Sequence, residues 1–600
     1  MIPVVNASKA PISTSETGED GDEHPAALKS SQAYSLLMDV LLYTYAVYIH
    51  SHEIEERSVN MTVESFPVQL QGWAHCYVQG DPTVRAFYDY PPFGEEDRRW
   101  RELQNYDFKR DHLRKALYQY HQKYDHRAKA LEQIDKLQDE RSVVVVGGQQ
   151  AGLLTGPIYT ISKALSVLLK AEEEEKKLGI PVLPIFWIAG EDHDWEEVNH
   201  IFVHNHDGGV SKIKYEGRTN TGAPVSEQPI DLPAMQWWLQ SVFRNYRETP
   251  YSRRLHDQLA SFAKQSANVS DFFAEVMLWL FRRQGLVLID PQQPLFRQLM
   301  TDTWTQLIED NDQVRRAFTS AQESVERVND TRAFLEATED HTHLFYSAEG
   351  KREKLVAHPD GELSLHNGLY KMSRADWLRE AKNHPEKFSA NVYTRPLVQE
   401  MLLPVLTFVA GPGEAAYWSM VGPLFHHYGR RVPPVAPRAQ HTYVDRKSEK
   451  TLDAEGLSVN EVANEGASTY ANALEEKNRK LDTENLFQKS LALAGEGQQM
   501  LANALYELAP SEERYVEKNY QRMQEVFQDL QQRIEQKQLE DIKPKVDNVQ
   551  QLEQRLYPNK QPQERVLNIV QFLNEYGEDR LLALFDQVKS ETFCHQFIYL

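Results

Sequence analysis

Ser142-Val143-Val144-Val145-Val146-Gly147-Gly148-Gln149-Gln150-Ala151-Gly152 is the stretch on which the fold turns. Four consecutive valines with no polar residue among them suit a strand covered on both faces, and the glycine pair that closes the run suits a tight turn. An apolar helix is expected from Tyr159 to Leu169, and Pro181 to Ile188 is a second apolar run, ended by Gly190. Leu286 to Ile289 and Val405 to Val409 repeat the pattern and stop at Asp290-Pro291 and Gly411-Pro412-Gly413. Apolar runs alternating with helices predict an α/β core, a doubly wound Rossmann-like parallel sheet with its ligand crevice at the strand C-termini.

Outward from this core the texture changes. Trp73 to Gln138 reads as helical, whereas Ile201 to Tyr215 and Leu344 to Leu369 alternate polar and apolar residues around glycine turns. They predict small antiparallel insertions within connecting segments of about 201–240 and 320–385. After Arg438 the chain becomes rich in Gln, Glu and Lys. Val516, Tyr520, Met523, Phe527, Leu530 and Ile534 have heptad spacing, and Phe487, Leu491, Ala494, Gln498, Leu501, Leu505 and Leu508 nearly repeat it before Pro510. This predicts an antiparallel coiled coil within 441–560, with 561–600 a helical segment returning to the core. Residues 1–60 begin acidic and rich in Ser, Thr and Gly, and are expected to be a disordered extension, with translation starting at Met61; the catalytic core is then 61–440.

Composition narrows the function. A chain of 600 residues exceeds a single hydrophobic core, and 66 basic against 88 acidic residues leave a net charge of −22. Such a chain has no field for a nucleic acid backbone. Cys76 and Cys594 stand far apart, so neither a disulfide framework nor a CxxC site is available, which favours the cytoplasm. Leu36 to Ile49, the most apolar early run, is shorter than the roughly 18 to 20 residues that span a bilayer.

Three stretches carry candidate chemistry. The first, Gly147 to Pro157, has Walker A glycine spacing but Leu153-Leu154 where Lys-Ser/Thr is required, and Gln149 breaks GxGxxG. Gly148, Gln149, Gln150, Thr155, Gly156 and Tyr159 remain candidates for binding a phosphate or carboxylate at a helix start, with Thr155 as its cap, or for a plain strand-to-helix turn. The second, Glu191-Asp192-His193-Asp194, follows the second core strand, with Asn199 nearby. A carboxylate pair suits an ammonium group, and histidine moves protons near neutral pH. Asp194 with Glu197 also fits a capping box. His193 and His200 with Asp192 or Asp194 match no standard zinc spacing, so no metal is assigned. The third comprises Asn391, Arg395 and Gln399, then Gly411, Gly413 and Glu414, where Arg395 is a natural fork for a carboxylate or phosphate. Lys371-Met372-Ser373-Arg374 resembles the KMSKS loop of class I aminoacyl-tRNA synthetases, yet a core strand follows it, and a helix cap at Ser373 is the simpler reading.

Several motifs in one order resemble the cysteine-adding enzyme, a cysteine ligase, of bacillithiol biosynthesis. They are Val63-Glu64-Ser65-Phe66, Gly80-Asp81-Pro82, Gly148-Gln149-Gln150-Ala151-Gly152-Leu153, Thr155-Gly156-Pro157, Trp187-Ile188-Ala189-Gly190-Glu191-Asp192-His193-Asp194, Arg395-Pro396 and Gly411-Pro412-Gly413-Glu414. Gly147 departs from the pattern, which has Thr there. The resemblance implies a class I synthetase-like or nucleotidylyltransferase-like fold, a coiled coil pairing two subunits into a homodimer, and addition of cysteine to glucosaminyl-malate. ATP follows only by analogy of fold, since no HxGH signature is present. The alternatives are a non-catalytic coiled-coil interaction protein and an amide-forming ligase acting on another amine.

Overall fold

The computed structural model describes residues 62–205, 209–329, 332–586, 588 and 594–600. The expected extension over 1–60 and the start at Met61 lie outside them. In chain order the strands are β1 (Val63–Pro67), β2 (Val143–Gln149), β3 (Val182–Ile188), β4 (His200–His204), β5 (Val210–Lys214), β6 (Val287–Ile289), β7 (His341–Ala348), β8 (Lys351–Ala357), β9 (Leu363–Leu365), β10 (Phe388–Ala390), β11 (Val405–Ala410), β12 (Val435–Pro437), β13 (Gln440–Val444) and β14 (Cys594–Tyr599).

The core sheet runs β6-β3-β2-β11-β12, every neighbouring pair parallel. From β2 the chain moves outward through β3 to β6, then returns to β11 on the other flank. The order therefore reverses between β2 and β11, the place where α/β sheets open a crevice at their C-terminal edge. The valines of β2 and all of β3 are buried, which is why these runs lack alternation. The helix Tyr159–Leu178 crosses from β2 to β3 and packs on both. Gly148 is fixed by close approach: a Cβ there would stand 2.4 Å from the backbone oxygen of Trp187 on β3.

The insertions are antiparallel, β4 with β5 and β10-β7-β8-β9. Ser373 caps the helix Arg374–Asn383 by accepting from the Asp376 backbone N–H, and Lys371 pairs with Asp360 at 2.7 Å. The KMSKS-like stretch is thus a surface turn and a cap.

The C-terminal region departs from expectation twice. Residues 561–600 are not wholly helical, because β14 forms the middle strand of a second sheet, antiparallel to β1 and parallel to β13. Without it the facing edges of both partners would lack hydrogen bonds. The helices Thr483–Leu508 and Glu513–Leu539 form the expected hairpin, but the seam slips. Ala502 takes the place of Leu501, and Gln531 that of Leu530; Leu501, Leu508 and Leu530 are 74%, 86% and 56% exposed. An α-helix drifts against a seven-residue repeat, and here the half-buried line follows an eleven-residue one. Gln498 keeps its seam position by donating to the Val516 carbonyl at 3.1 Å.

Burial pushes the imidazoles of His121, His441 and His595 down to about 4. Unfolded histidine takes up a proton below roughly 6.5, whereas these do not until far lower. Their contribution is complete above the unfolded value and is lost as pH falls toward 4. His341 and His343, lowered by burial to about 4 and about 3, act in the same sense, whereas Glu275 and Glu400, raised by burial to about 7, act in the opposite sense over the same range. The histidines outnumber the glutamates, so the midpoint of thermal unfolding is expected to drop between pH 7 and pH 5; a flat profile there contradicts this account.

Candidate active site

The C-terminal ends of β2, β3 and β11, together with β7 and β8 of the insertion, enclose a cleft of about 630 Å³. That size suits a small-molecule site. Of the residues singled out by sequence, Gly148, Gln149, Gln150, Tyr159, Glu191, Asp192, His193, Asn391, Arg395, Gly411, Gly413 and Glu414 line it.

The two glycine turns are joined by Lys163, a lysine that the sequence reading passed over. It sits on the helix Tyr159–Leu178, 2% exposed, donating to the Gly148 carbonyl at 2.8 Å and to Gln149 Oε1 at 3.1 Å, and forming an ion pair with Glu414. Glu414 in turn accepts from the Gly411 N–H at 2.7 Å. Burial lowers the Lys163 pKa, with Glu414 pulling the other way. The sequence signal was a lone charge in an otherwise apolar helix segment, a position that needs partners when buried.

The acidic run divides by role. Glu191 is buried and forms a 2.8 Å ion pair with the fully buried Arg297, which also reaches Gln292 and the Phe388 carbonyl. Asp192 is the free carboxylate of the pair: among the described residues it has no Lys or Arg partner, and its Oδ1 accepts from the His193 backbone N–H at 2.8 Å. His193 stands beside it, its ring facing Arg352 of β8.

The opposite wall is cationic. Arg395 begins the helix Arg395–Leu402, donates to the Tyr417 hydroxyl and to Gln399 Oε1, and has no carboxylate partner among the described residues. Burial raises the Tyr417 pKa to about 12. Arg438 is held in a bidentate pair by Glu564 at 2.9 and 2.7 Å, and Arg565 lies exposed at the rim. Among the described residues, two buried polar atoms in the lining, Trp187 Nε1 and His341 Nε2, have no hydrogen-bond partner. Groups of this kind are rare unless a ligand or water meets them.

Five predicted residues do not reach the cleft. Thr155 and Gly156 lie in a turn with φ of 75° and 68°, and Thr155 caps nothing; the turn is pinned from outside by Asn568, which donates to the Leu154 and Gly156 carbonyls at 2.9 and 2.6 Å. Asp194 precedes a single helical turn, Trp195–Val198, without a side-chain cap bond, so the capping box does not form. Glu197 accepts instead from Gln150 at 2.7 Å. Asn199 is buried behind that turn, and Gln399 sits behind Arg395. His200 turns to Asn199, and among the described residues no three metal-ligating side chains converge.

Residues 60–439 match the family model for the N-terminal Rossmann-like domain of the bacillithiol biosynthesis protein BshC, and residues 441–600 match its C-terminal coiled-coil domain. The chain belongs to the BshC family. Among BshC relatives, a protein of Bacillus licheniformis is 34% identical over 551 residues, 90% of this chain and 100% of its own length. One from Oceanobacillus iheyensis is 32% identical over 526 residues, 87% and 96% of the two chains. A third, from Lysinibacillus sphaericus, is 35% identical over 462 residues, 77% and 85% of the two. Each is named "Putative cysteine ligase BshC". The Rossmann-like body and coiled coil of the BshC family are those described above, and no described helix is long and apolar enough to cross a membrane.

Removing one partner of a buried ion pair leaves a charge without compensation, at a cost of about 3–5 kcal/mol. Arg297→Met is therefore expected to destabilise the fold by that order, and adding Glu191→Gln to recover much of it, both read from chemical denaturation. A single variant as stable as the parent would show that Glu191 is not anchored in this way.

Proposed function

We propose that this protein is a cytoplasmic ligase that joins cysteine to the amine of glucosaminyl-malate, forming the amide bond of bacillithiol. The observation that carries the reading is one cleft with a free carboxylate on one wall and a carboxylate-free arginine on the other, built from the motifs that the family resemblance rests on.

Asp192 is placed to hold the sugar amine as its ammonium and to take a proton as the nitrogen becomes nucleophilic. His193 adjoins it at the same edge. Arg395, with Lys163 and the Gly411–Glu414 turn behind it, offers a positive wall to the malate carboxylates or to a phosphate. Glu191 acts through Arg297, holding the run in place. ATP, by analogy of fold, supplies the group that activates cysteine's carboxylate; the cationic wall and the unpartnered Trp187 N–H fit an anionic ligand of that kind.

A cell-free assay with cysteine, glucosaminyl-malate and ATP, omitting each in turn, tests the reading. Product is expected only when all are present, and Asp192→Ala is expected to lower turnover by about 100-fold or more with the unfolding midpoint retained. Undiminished turnover in that variant removes Asp192 from the chemistry.

Two copies are proposed to pair through the helical hairpin. Leu493, Met500, Leu501, Leu508, Val526 and Leu530 are all more than half exposed, apolar surface that a second copy would cover. Sedimentation is expected to give twice the chain mass, and Leu501→Glu with Leu508→Glu to give the chain mass alone.

A further inference from the structure

Arg352 lies on β8 of the insertion, outside every motif that drew attention in the sequence, yet its guanidinium is anchored in the cleft wall by two hydrogen bonds and an aromatic ring. It is 9% exposed. Its Nε donates to Ser389 Oγ at 2.9 Å, and one terminal nitrogen donates to the Ala390 carbonyl at 2.7 Å. The guanidinium carbon stacks 3.7 Å from the centre of the Phe345 ring. The remaining nitrogen, Nη1, lies 3.3 Å from His193 Nδ1.

Arginine carries only donors, so this contact assigns the proton on the imidazole. Nδ1 must be the acceptor, which it is only in the neutral ring whose hydrogen is on Nε2. A protonated ring, or one with its hydrogen on Nδ1, would set an N–H against an N–H, and the anchored, stacked guanidinium has no freedom to turn aside. Asp192 does not compete for Nδ1: its Oδ1 is 3.8 Å away, beyond hydrogen-bond distance, and is taken by the His193 backbone N–H. Among the described residues Nε2 has no partner, while the ring lines the cleft.

We infer that Arg352 is a positioning residue that locks His193 as the neutral Nε2–H tautomer, so that His193 meets the substrate as a hydrogen-bond donor and not as a base. The inference rests on the ligase reading and sharpens it. As the amine nitrogen bonds to the activated acyl carbon, the carbonyl electron pair moves onto oxygen, where Nε2–H meets it. The pair returns when the activating phosphate leaves with its bonding electrons; of the two protons the nitrogen gives up, the first has gone to Asp192 before attack and the second leaves on the phosphate. A neutral imidazole can polarise a carbonyl in this way.

The test uses the full chain labelled with [15N]histidine, the His193 signals being assigned by their loss in His193→Gln. At pH 7.5 the long-range nitrogen–proton spectrum is expected to show a protonated Nε2 and an unprotonated Nδ1. A protonated Nδ1, in either the other tautomer or the imidazolium, overturns the inference and leaves the ligase reading standing. In the same assay as above, Arg352→Met is expected to lower kcat by about 10- to 100-fold with the KM for cysteine within about twofold, and its His193 signals to show mixed tautomers. Wild-type kcat in Arg352→Met, or undiminished turnover in His193→Ala, also overturns it. A wild-type protein that makes no product while showing the expected tautomer instead refutes the ligase reading.

Discussion

Burying an ammonium group in the middle of a Rossmann-like domain is tolerable only when every one of its protons is met, and Lys163 meets this condition by reaching both sides of the place where the strand order reverses. The turn after β2 and the turn after β11 are far apart in sequence, and the main-chain pairing of the two strands stops at Val146 and Phe408, short of both turns. The lysine joins them, through the Gly148 carbonyl on one side and Glu414 on the other. Glu414 is in turn aimed by the Gly411 N–H. The shape of the crevice therefore depends on one charge and its three partners.

Much of the core was legible because burial on both faces of a parallel sheet removes alternation. Valines 143 to 146 and the run ending at Ile188 announce themselves, and the glycines after them mark where a backbone must come close. The acidic run was found for a similar reason, since charges at the end of an apolar strand demand explanation. What could not be read was direction. Asp192, His193 and Asp194 are neighbours in sequence, yet a short irregular turn sends the first two toward the cleft and the third away from it. Arg352 and Arg438 were missed because each looks like an ordinary surface charge until its partners, which come from distant segments, are in place; Lys163 carried a signal as a lone charge in an apolar helix segment, but its partners Gly148 and Glu414 could not be read from it. The misplaced Leu501 and Leu530 have another cause: over two or three turns a seven-residue and an eleven-residue repeat coincide, and they part only toward the ends of a long hairpin.

The C-terminal segment is more than a tether for the coiled coil. Gln563 donates to and accepts from the Tyr443 backbone, Glu564 clamps Arg438, and Asn568 pins the turn that follows the glycine loop. Residues assigned to one domain thus set the geometry of a cleft assigned to the other, and the boundary near residue 440 divides the sequence more cleanly than it divides the physics.

The small sheet β1-β14-β13 has a bearing on how the molecule comes to be made. Its central strand leaves the ribosome after both of its flanking strands, and long after β1. Until β14 emerges, β1 and β13 each lack the strand that covers their facing edges. Such edges invite pairing with other chains, so biogenesis should depend on a holding chaperone more than the eventual stability of the product would suggest.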